Sequence, residues 1–267
     1  MKAARTYISF TEVTDRTKHQ AYNAWHMLDH RPENIALPGI IYGERFVCAP
    51  DCAAKVTASD AAFYPFHYLL MYWMQDPMEE TWKAFRAFAD NSILMGRRPE
   101  IPYSKRRLQG IFYPLKGYAA PRVLVSPEAI PYRPARGLYV QAFDLADPSS
   151  GAAQAHLAWY DLVHIPAMLE CPGVAGAWMF GSDPVYSFAT SVNPNPAGRI
   201  VQVYYLDEEP LETIEGMESR RERLRKAGGV PPRAARKDIF AGPLRTIEPW
   251  QWDWFDEKAG AGKKRGR

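Results

Sequence analysis

The 267-residue chain contains the same pattern twice. Trp25-His26-Met27-Leu28-Asp29-His30-Arg31-Pro32 matches Trp159-Tyr160-Asp161-Leu162-Val163-His164-Ile165-Pro166, with Trp, His and Pro at identical spacing 134 residues apart. The match continues through Leu37-Pro38-Gly39 and Cys171-Pro172-Gly173, each Gly nine residues after its His. Upstream, Thr6-Tyr7-Ile8-Ser9-Phe10-Thr11 parallels Leu138-Tyr139-Val140-Gln141-Ala142-Phe143; downstream, Tyr72 precedes Pro77 by five, as Tyr205 precedes Pro210. Landmarks recurring in one order indicate a single supersecondary unit written twice, each copy able to bury its bare apolar face on the other.

Both halves read as β-α-β-β-α-β. Apolar/polar alternation marks strands over 5–13 and 137–145. Tyr22, Trp25, Leu28 and Ile35 have helical spacing over 17–37, closing at Pro38-Gly39, and 154–170 repeats this before Pro172-Gly173. Further strands are expected at 40–47 and 174–180, at 66–74 and 199–206, and near 108–115 and 237–244. Second helices over 79–89 and 212–227 open after Pro77 and Pro210, proline being favoured at a first turn. This order is the ferredoxin-like split βαβ unit. The expected fold class is α+β: two ferredoxin-like repeats pressed together as a single-chain, pseudo-dimeric α/β barrel. The repeats are expected over 1–118 and 137–256. Between them, 119–136 carries Pro121, Pro127, Pro131 and Pro134 and reads as a stiff linker; 257–267 reads as a disordered basic tail.

Composition narrows the function classes. Much of the Lys/Arg excess behind the +3 net charge lies in the tail, so the body shows no basic face for nucleic acid. No stretch approaches the roughly 18 apolar residues of a membrane span, and the start carries no apolar leader pattern. Cys48, Cys52 and Cys171 have no metal-like spacing and suit a reducing, cytoplasmic setting. Gly-rich phosphate loops, Gly-x-Ser-x-Gly elbows and Cys-x-x-Cys pairs are missing from the sequence, which removes nucleotide-dependent and serine-hydrolase readings. The 15 Tyr and 8 Trp suit either a pocket for a flat apolar molecule or ordinary core.

The run Trp-x4-His-x-Pro, followed seven residues later by Gly, resembles the dimeric α/β-barrel superfamily, most closely its EthD-like branch. The resemblance implies a pocket in each unit, between the sheet and its helices. Members include cofactor-independent polyketide cyclases and monooxygenases, muconolactone isomerase, and haem enzymes such as aldoxime dehydratase and the dye-decolourising peroxidases. Fold alone therefore does not fix the activity.

His30 and His164 are the leading acid/base candidates, because an imidazole titrating near 6.5 needs little tuning. His26 and His30 share a helix face at i, i+4, as do Tyr160 and His164. Trp25 and Asp29 share the neighbouring face, where the second half has Trp159 and Val163. The first half holds the richer set, His30 with His26 and Asp29. A His pair at this spacing also suits a zinc helix, but that needs a third ligand such as His67, Asp29 or Glu33. No second motif supplies one, and neither metal nor cofactor is expected. Substrate contacts are expected from Tyr7 and Tyr139 on the first strands, Trp25, Trp159 and Tyr160 on the helices, and His67 on a third strand; all are also readable as core. Pro249-Trp250-Gln251-Trp252-Asp253-Trp254-Phe255 alternates as a short extra strand would, packed on the body. Arg97-Arg98, Lys105-Arg106-Arg107, Arg233 and Arg236-Lys237 read as solvated loops, with an Arg available to a substrate carboxylate or phenolate. The expectation is a cofactor-independent lyase or isomerase using His acid/base chemistry on a small phenolic or polyketide-like aromatic. An oxygenase or peroxidase, or a non-catalytic aromatic-binding protein, are its rivals. Closure within one chain requires no partner and is compatible with a homo-oligomer.

Overall fold

Strands buried along both faces, such as Tyr68–Met74 and Arg199–Leu206, must be covered on both sides, and the chain meets this by closing on itself. The computed structural model describes residues 3–97, 102–186, 193, 195–228 and 236–256. The tail at 257–267, Arg98 and Arg233 lie outside the described residues. In the first repeat β1 (Arg5–Val13), β2 (Ile40–Val47), β4 (Tyr68–Met74) and β5 (Ser104–Ala119) lie in the order β2-β4-β1-β5. In the second, β6 (Gly137–Leu145), β7 (Val174–Asp183), β8 (Arg199–Leu206) and β9 (Arg236–Thr246) lie in the order β7-β8-β6-β9. β5 pairs with β7 and β9 returns to β2, so the eight strands close into an antiparallel barrel. A two-residue strand, β3 (Thr57–Ala58), adds to β9.

The barrel interior is one apolar core drawn from both repeats. Ile8, Phe10, Met71 and Trp73 of the first meet Val140, Trp178, Phe180 and Val203 of the second, and Trp73 sits edge-on to Trp178 at 5.2 Å. The opposite face carries the helices: α1 (His19–Trp25), α2 (Arg31–Ile35) and α4 (Met78–Leu94) on the first repeat, α5 (Gly151–Trp159), α6 (Ile165–Leu169) and α7 (Pro210–Lys226) on the second. A short α3 (Pro50–Ala53) follows β2.

The duplication extends to irregularities that no periodicity foretells. The β1–β5 ladder slips between Phe10 and Thr11, and the β6–β9 ladder slips at the equivalent Ala142 and Phe143. The β2–β4 and β7–β8 ladders likewise share a bulge, between Ile40 and Tyr42 and between Val174 and Gly176. Bulges re-aim side chains and behave as inherited features. Register also corrects one landmark. Tyr7 pairs with Tyr72 and Tyr139 with Tyr204, so Tyr72 corresponds to Tyr204 and not to Tyr205. The loop before Pro210 is one residue longer than that before Pro77, and a one-residue slip moves a side chain to the other face: Tyr205 points into the barrel core.

The two seams differ. β5 runs well beyond the expected 108–115 because Ile111–Ala119 pairs with β7. β9 meets β2 only through Phe46 and Val47, ending shortly before Pro249, which lacks the N–H that a ladder needs. The expected Trp-rich strand therefore does not form; the segment turns back and stacks Phe255 on His19 at 3.9 Å. The proline-rich linker packs too, as short 3-10 turns that bury Ile130 in the barrel core and accept the Trp178 indole N–H at Pro127 O.

At the long seam Gly117 lies opposite Trp178, and a Cβ there would meet the indole at 2.5 Å. Gly117→Val is expected to destabilise the protein by about 1–3 kcal/mol through overpacking, read from urea unfolding. An unchanged midpoint would show that Trp178 is not seated across Gly117.

Candidate functional site

The Trp-to-Pro motif builds the same distortion in both repeats. Pro32 and Pro166 lack an N–H and would press their rings on the carbonyls of Leu28 and Leu162 in a regular helix. Residues His26–His30 and Tyr160–His164 instead form π turns, in which Arg31 N donates to His26 O and Ile165 N to Tyr160 O. Such one-turn widenings recur at functional sites. The added residue rotates the helix face: Leu28, expected to be buried, is 52% exposed, and Leu162 is 73% exposed.

In the first repeat this turn overhangs a cavity of about 200 Å³ between the sheet and its helices. Its wall includes Tyr7, Ser9 and Thr11 from β1, Tyr22, His26, His30 and Asn34 from the helix run, Phe85 and Ala89 from α4, and Arg106 and Gln109 from β5. The odd-numbered β1 positions give the sheet face an unusually polar lining. Tyr7 hydroxyl accepts a 2.8 Å bond from Gln109 Nε2. His30 lies in a stack, 4.6 Å from the Trp25 ring and 5.9 Å from Phe88. Asn34 Nδ2 donates to His30 O at 2.6 Å and sits 3.3 Å from His30 Nδ1. The amide nitrogen donates and does not accept, so Nδ1 is the acceptor of that contact. His26 is edge-on to His30 at 4.9 Å. Burial, then the charge of Arg45, drives the His26 pKa well below its usual value, so this ring stays neutral.

Of the residues singled out from sequence, Tyr7, His26 and His30 line this cavity, and Trp25 supports His30 from behind. Asp29 does not join them. It faces outward to Arg97, 2.6 Å away, in a pair that Glu33 shares. His67 is also elsewhere. Its Nδ1 accepts from Val13 N at 3.0 Å, and its ring lies against His19 and Phe255. Among the described residues no cluster of three or more metal-ligating groups forms.

The second repeat uses the corresponding space differently. Gly39 abuts Thr81 and Gly173 abuts Thr213, which aligns α4 with α7 and sets Arg221 where Ala89 stands. Arg221 lies 4.5 Å over the Tyr139 ring. Arg236, expected on a solvated loop, lies 4.4 Å over Phe143 and donates to the Tyr160 hydroxyl. Tyr139, Tyr160 and His164 are buried in this packing, with Trp159 against them. Burial and the two guanidinium groups push the His164 pKa down to about 3. Sequence reasoning passed over Arg45, Asn34 and Gln109. For Arg45 a signal existed, a lone cation between Gly43 and Val47 on a strand expected to be covered on both faces.

No protein-family model matches the chain, and no curated protein matches it. Solved structures do. A candidate monooxygenase from Fusobacterium nucleatum is 7% identical over 93% of this chain and 94% of its own, with a TM-score of 0.51. A mutant chlorite dismutase from Candidatus Nitrospira defluvii, in complex with cyanide, is 9% identical over 93% and 92%, with a TM-score of 0.50. At such identity the likeness is one of fold: it reaches the ferredoxin-like dimeric α/β barrel and not the EthD-like branch. No helix among the described residues is long and apolar enough to cross a membrane. A haem needs an axial donor facing room for the macrocycle. His30 is clasped between Trp25 and Phe88 beside a small cavity, and His26 and His164 are buried. These residues do not fit haem, and no step below runs through one.

The buried imidazoles predict acid lability. Unfolded His164 titrates near 6.5 and folded His164 near 3, so between these values the unfolded chain binds a proton that the native chain excludes. Stability therefore rises with pH across this window and is lost as pH falls through it. His164→Gln should remove about one proton from that dependence, read as the slope of unfolding free energy against pH; an identical slope would contradict the assignment.

Proposed function

We propose that the chain is a cofactor-independent enzyme of the lyase or isomerase type, moving a proton on a small aromatic molecule held between β1, β5 and the π turn of the first repeat. The observation that carries this reading is the convergence of His30, His26 and Tyr7 on one cavity whose second-repeat counterpart is filled by arginines. Duplication alone calls for no such difference. A cavity of about 200 Å³ suits a single ring with short substituents better than a larger polycycle.

In this reading His30 transfers the proton, being half-buried, fixed between two aromatic faces and within reach of the cavity. His26, kept neutral, adds no competing charge beside it. Tyr7, oriented by Gln109, together with Arg106, stabilises oxygen charge that develops as a bond to carbon breaks or forms. Elimination, retro-aldol carbon–carbon cleavage and cyclisation all place charge in this way and need no oxidant. Asp29, held by Arg97, is left out of the mechanism.

The test begins with a thermal-shift screen of small phenolic and polyketide-like compounds, followed by product analysis and oxygen-electrode measurement on those that bind. Turnover without oxygen uptake is expected. His30→Ala should slow it by roughly a hundredfold or more with an unchanged melting temperature. Full activity in that variant removes His30 from the chemistry, and oxygen consumed in step with product replaces the reading with an oxygenase.

A further inference from the structure

Beneath the π turn lies a charge that the structure leaves uncompensated. Arg45, on β2, is wholly buried, yet Nε, Nη1 and Nη2 have no hydrogen-bond partner among the described residues. Its guanidinium carbon lies 5.4 Å from the Tyr22 ring centre and 5.2 Å from that of Tyr68. Aromatic faces attract the cation, but they do not satisfy its N–H donors. A buried guanidinium is ordinarily paired with a carboxylate, and none bonds to this one among the described residues. His26 Nδ1 and the Tyr72 hydroxyl are buried and unpartnered as well. Both feel the Arg45 charge, so three polar groups with unmet bonding capacity share one region.

That region adjoins the cavity. Arg45 pairs across the ladder with Leu70, and directly opposed residues on one sheet face bring their side chains close together. Leu70 lines the cavity, as do Tyr22, which carries one of the two ring faces over Arg45, and His26. Further round the wall are Arg106 and Arg86, with Asp90 as the opposing charge. The second repeat places no cation at this position: the β2–β4 and β7–β8 registers set Met179 where Arg45 stands.

We propose that this cavity selects a ligand bearing a carboxylate, an aromatic acid, whose negative charge is drawn toward Arg45 past Tyr22 and His26. Arg45 acts here as a specificity residue. It supplies positive potential in a region of low dielectric, where such a charge reaches farther than in water. The inference rests on reading the first-repeat cavity as the ligand site, and adds the sign of the charge that the ligand carries.

The probes are para-hydroxybenzoate and its neutral isostere para-hydroxybenzamide, titrated calorimetrically into the full-length protein at neutral pH. The acid should bind about tenfold tighter than the amide or better, the scale expected of charge attraction across weakly screening protein. Arg45→Met, which borrows the residue of the other repeat, should bring the two affinities together by weakening the acid alone. Ala89→Arg, which copies Arg221 into the first repeat, should abolish binding of both. Equal affinity of acid and amide for the unsubstituted protein, with both lost in Ala89→Arg, overturns the carboxylate inference while the cavity stands as the ligand site. That comparison holds even if Arg45→Met does not fold. Binding of neither probe, or binding untouched by Ala89→Arg, overturns the inference together with the reading of the cavity.

Discussion

Each four-stranded half-sheet has one face that its own helices leave uncovered, and the other half is what covers it. Trp73 against Trp178 is the clearest contact of this kind, with Phe10, Met71, Phe180 and Val203 around it. Removing these side chains from water stabilises the fold by an amount that scales with the apolar area buried. The same packing leaves the middle of the barrel filled. The first-repeat cavity accordingly lies on the outer face, between the half-sheet and its helices.

With the framework held by both repeats, their outer faces were free to diverge. The bulges, the π turn and the glycine–threonine contact behind each helix are common to both. Small differences in side chain decide whether space remains. Ala89 leaves the first cavity open, while Arg221 at the same place stacks on Tyr139 and Arg236 covers Phe143. Arg45 reverses the relation, standing where the second repeat has Met179. The C-terminal segment strengthens the asymmetry. It leaves the short β2–β9 seam and lays Phe255 on His19, so the second repeat also buttresses the first helix run.

The repeat, the order of elements along the chain and most of their boundaries were legible because they follow from periodicity and from a motif at fixed spacing. β1 and β6 fall where alternation puts them, and β2 and β8 where the repeat places them. The π turns were not legible, although their cause was in plain view as Pro32 and Pro166; a helix is ordinarily read at one period throughout. The Tyr72 landmark was matched one residue out because loop prolines do not fix strand register. Of the residues lining the candidate site, His26, His30 and Tyr7 were legible by type and face. Asp29 misled because adjacency in sequence says nothing about direction once a turn is widened. Tyr139, Tyr160 and His164 shared the motif but not the space, since what fills that space comes from α7 and β9, distant in sequence. Arg45 belongs to no cluster of functional residue types; its only trace in the sequence is a lone cation on a strand expected to be covered on both faces, and its lack of partners shows only in the structure.

One chain closes an apolar-cored barrel and keeps the space beneath its Trp-to-Pro helix run open in the first repeat, while arginines occupy the corresponding space in the second. A crystal structure with a bound small aromatic tests this most directly. The account predicts density bounded by Tyr7, His26, His30 and Ala89, with the guanidinium groups of Arg221 and Arg236 still seated over Tyr139 and Phe143. Density in the barrel interior, or beside His164 with those arginines displaced, would contradict it.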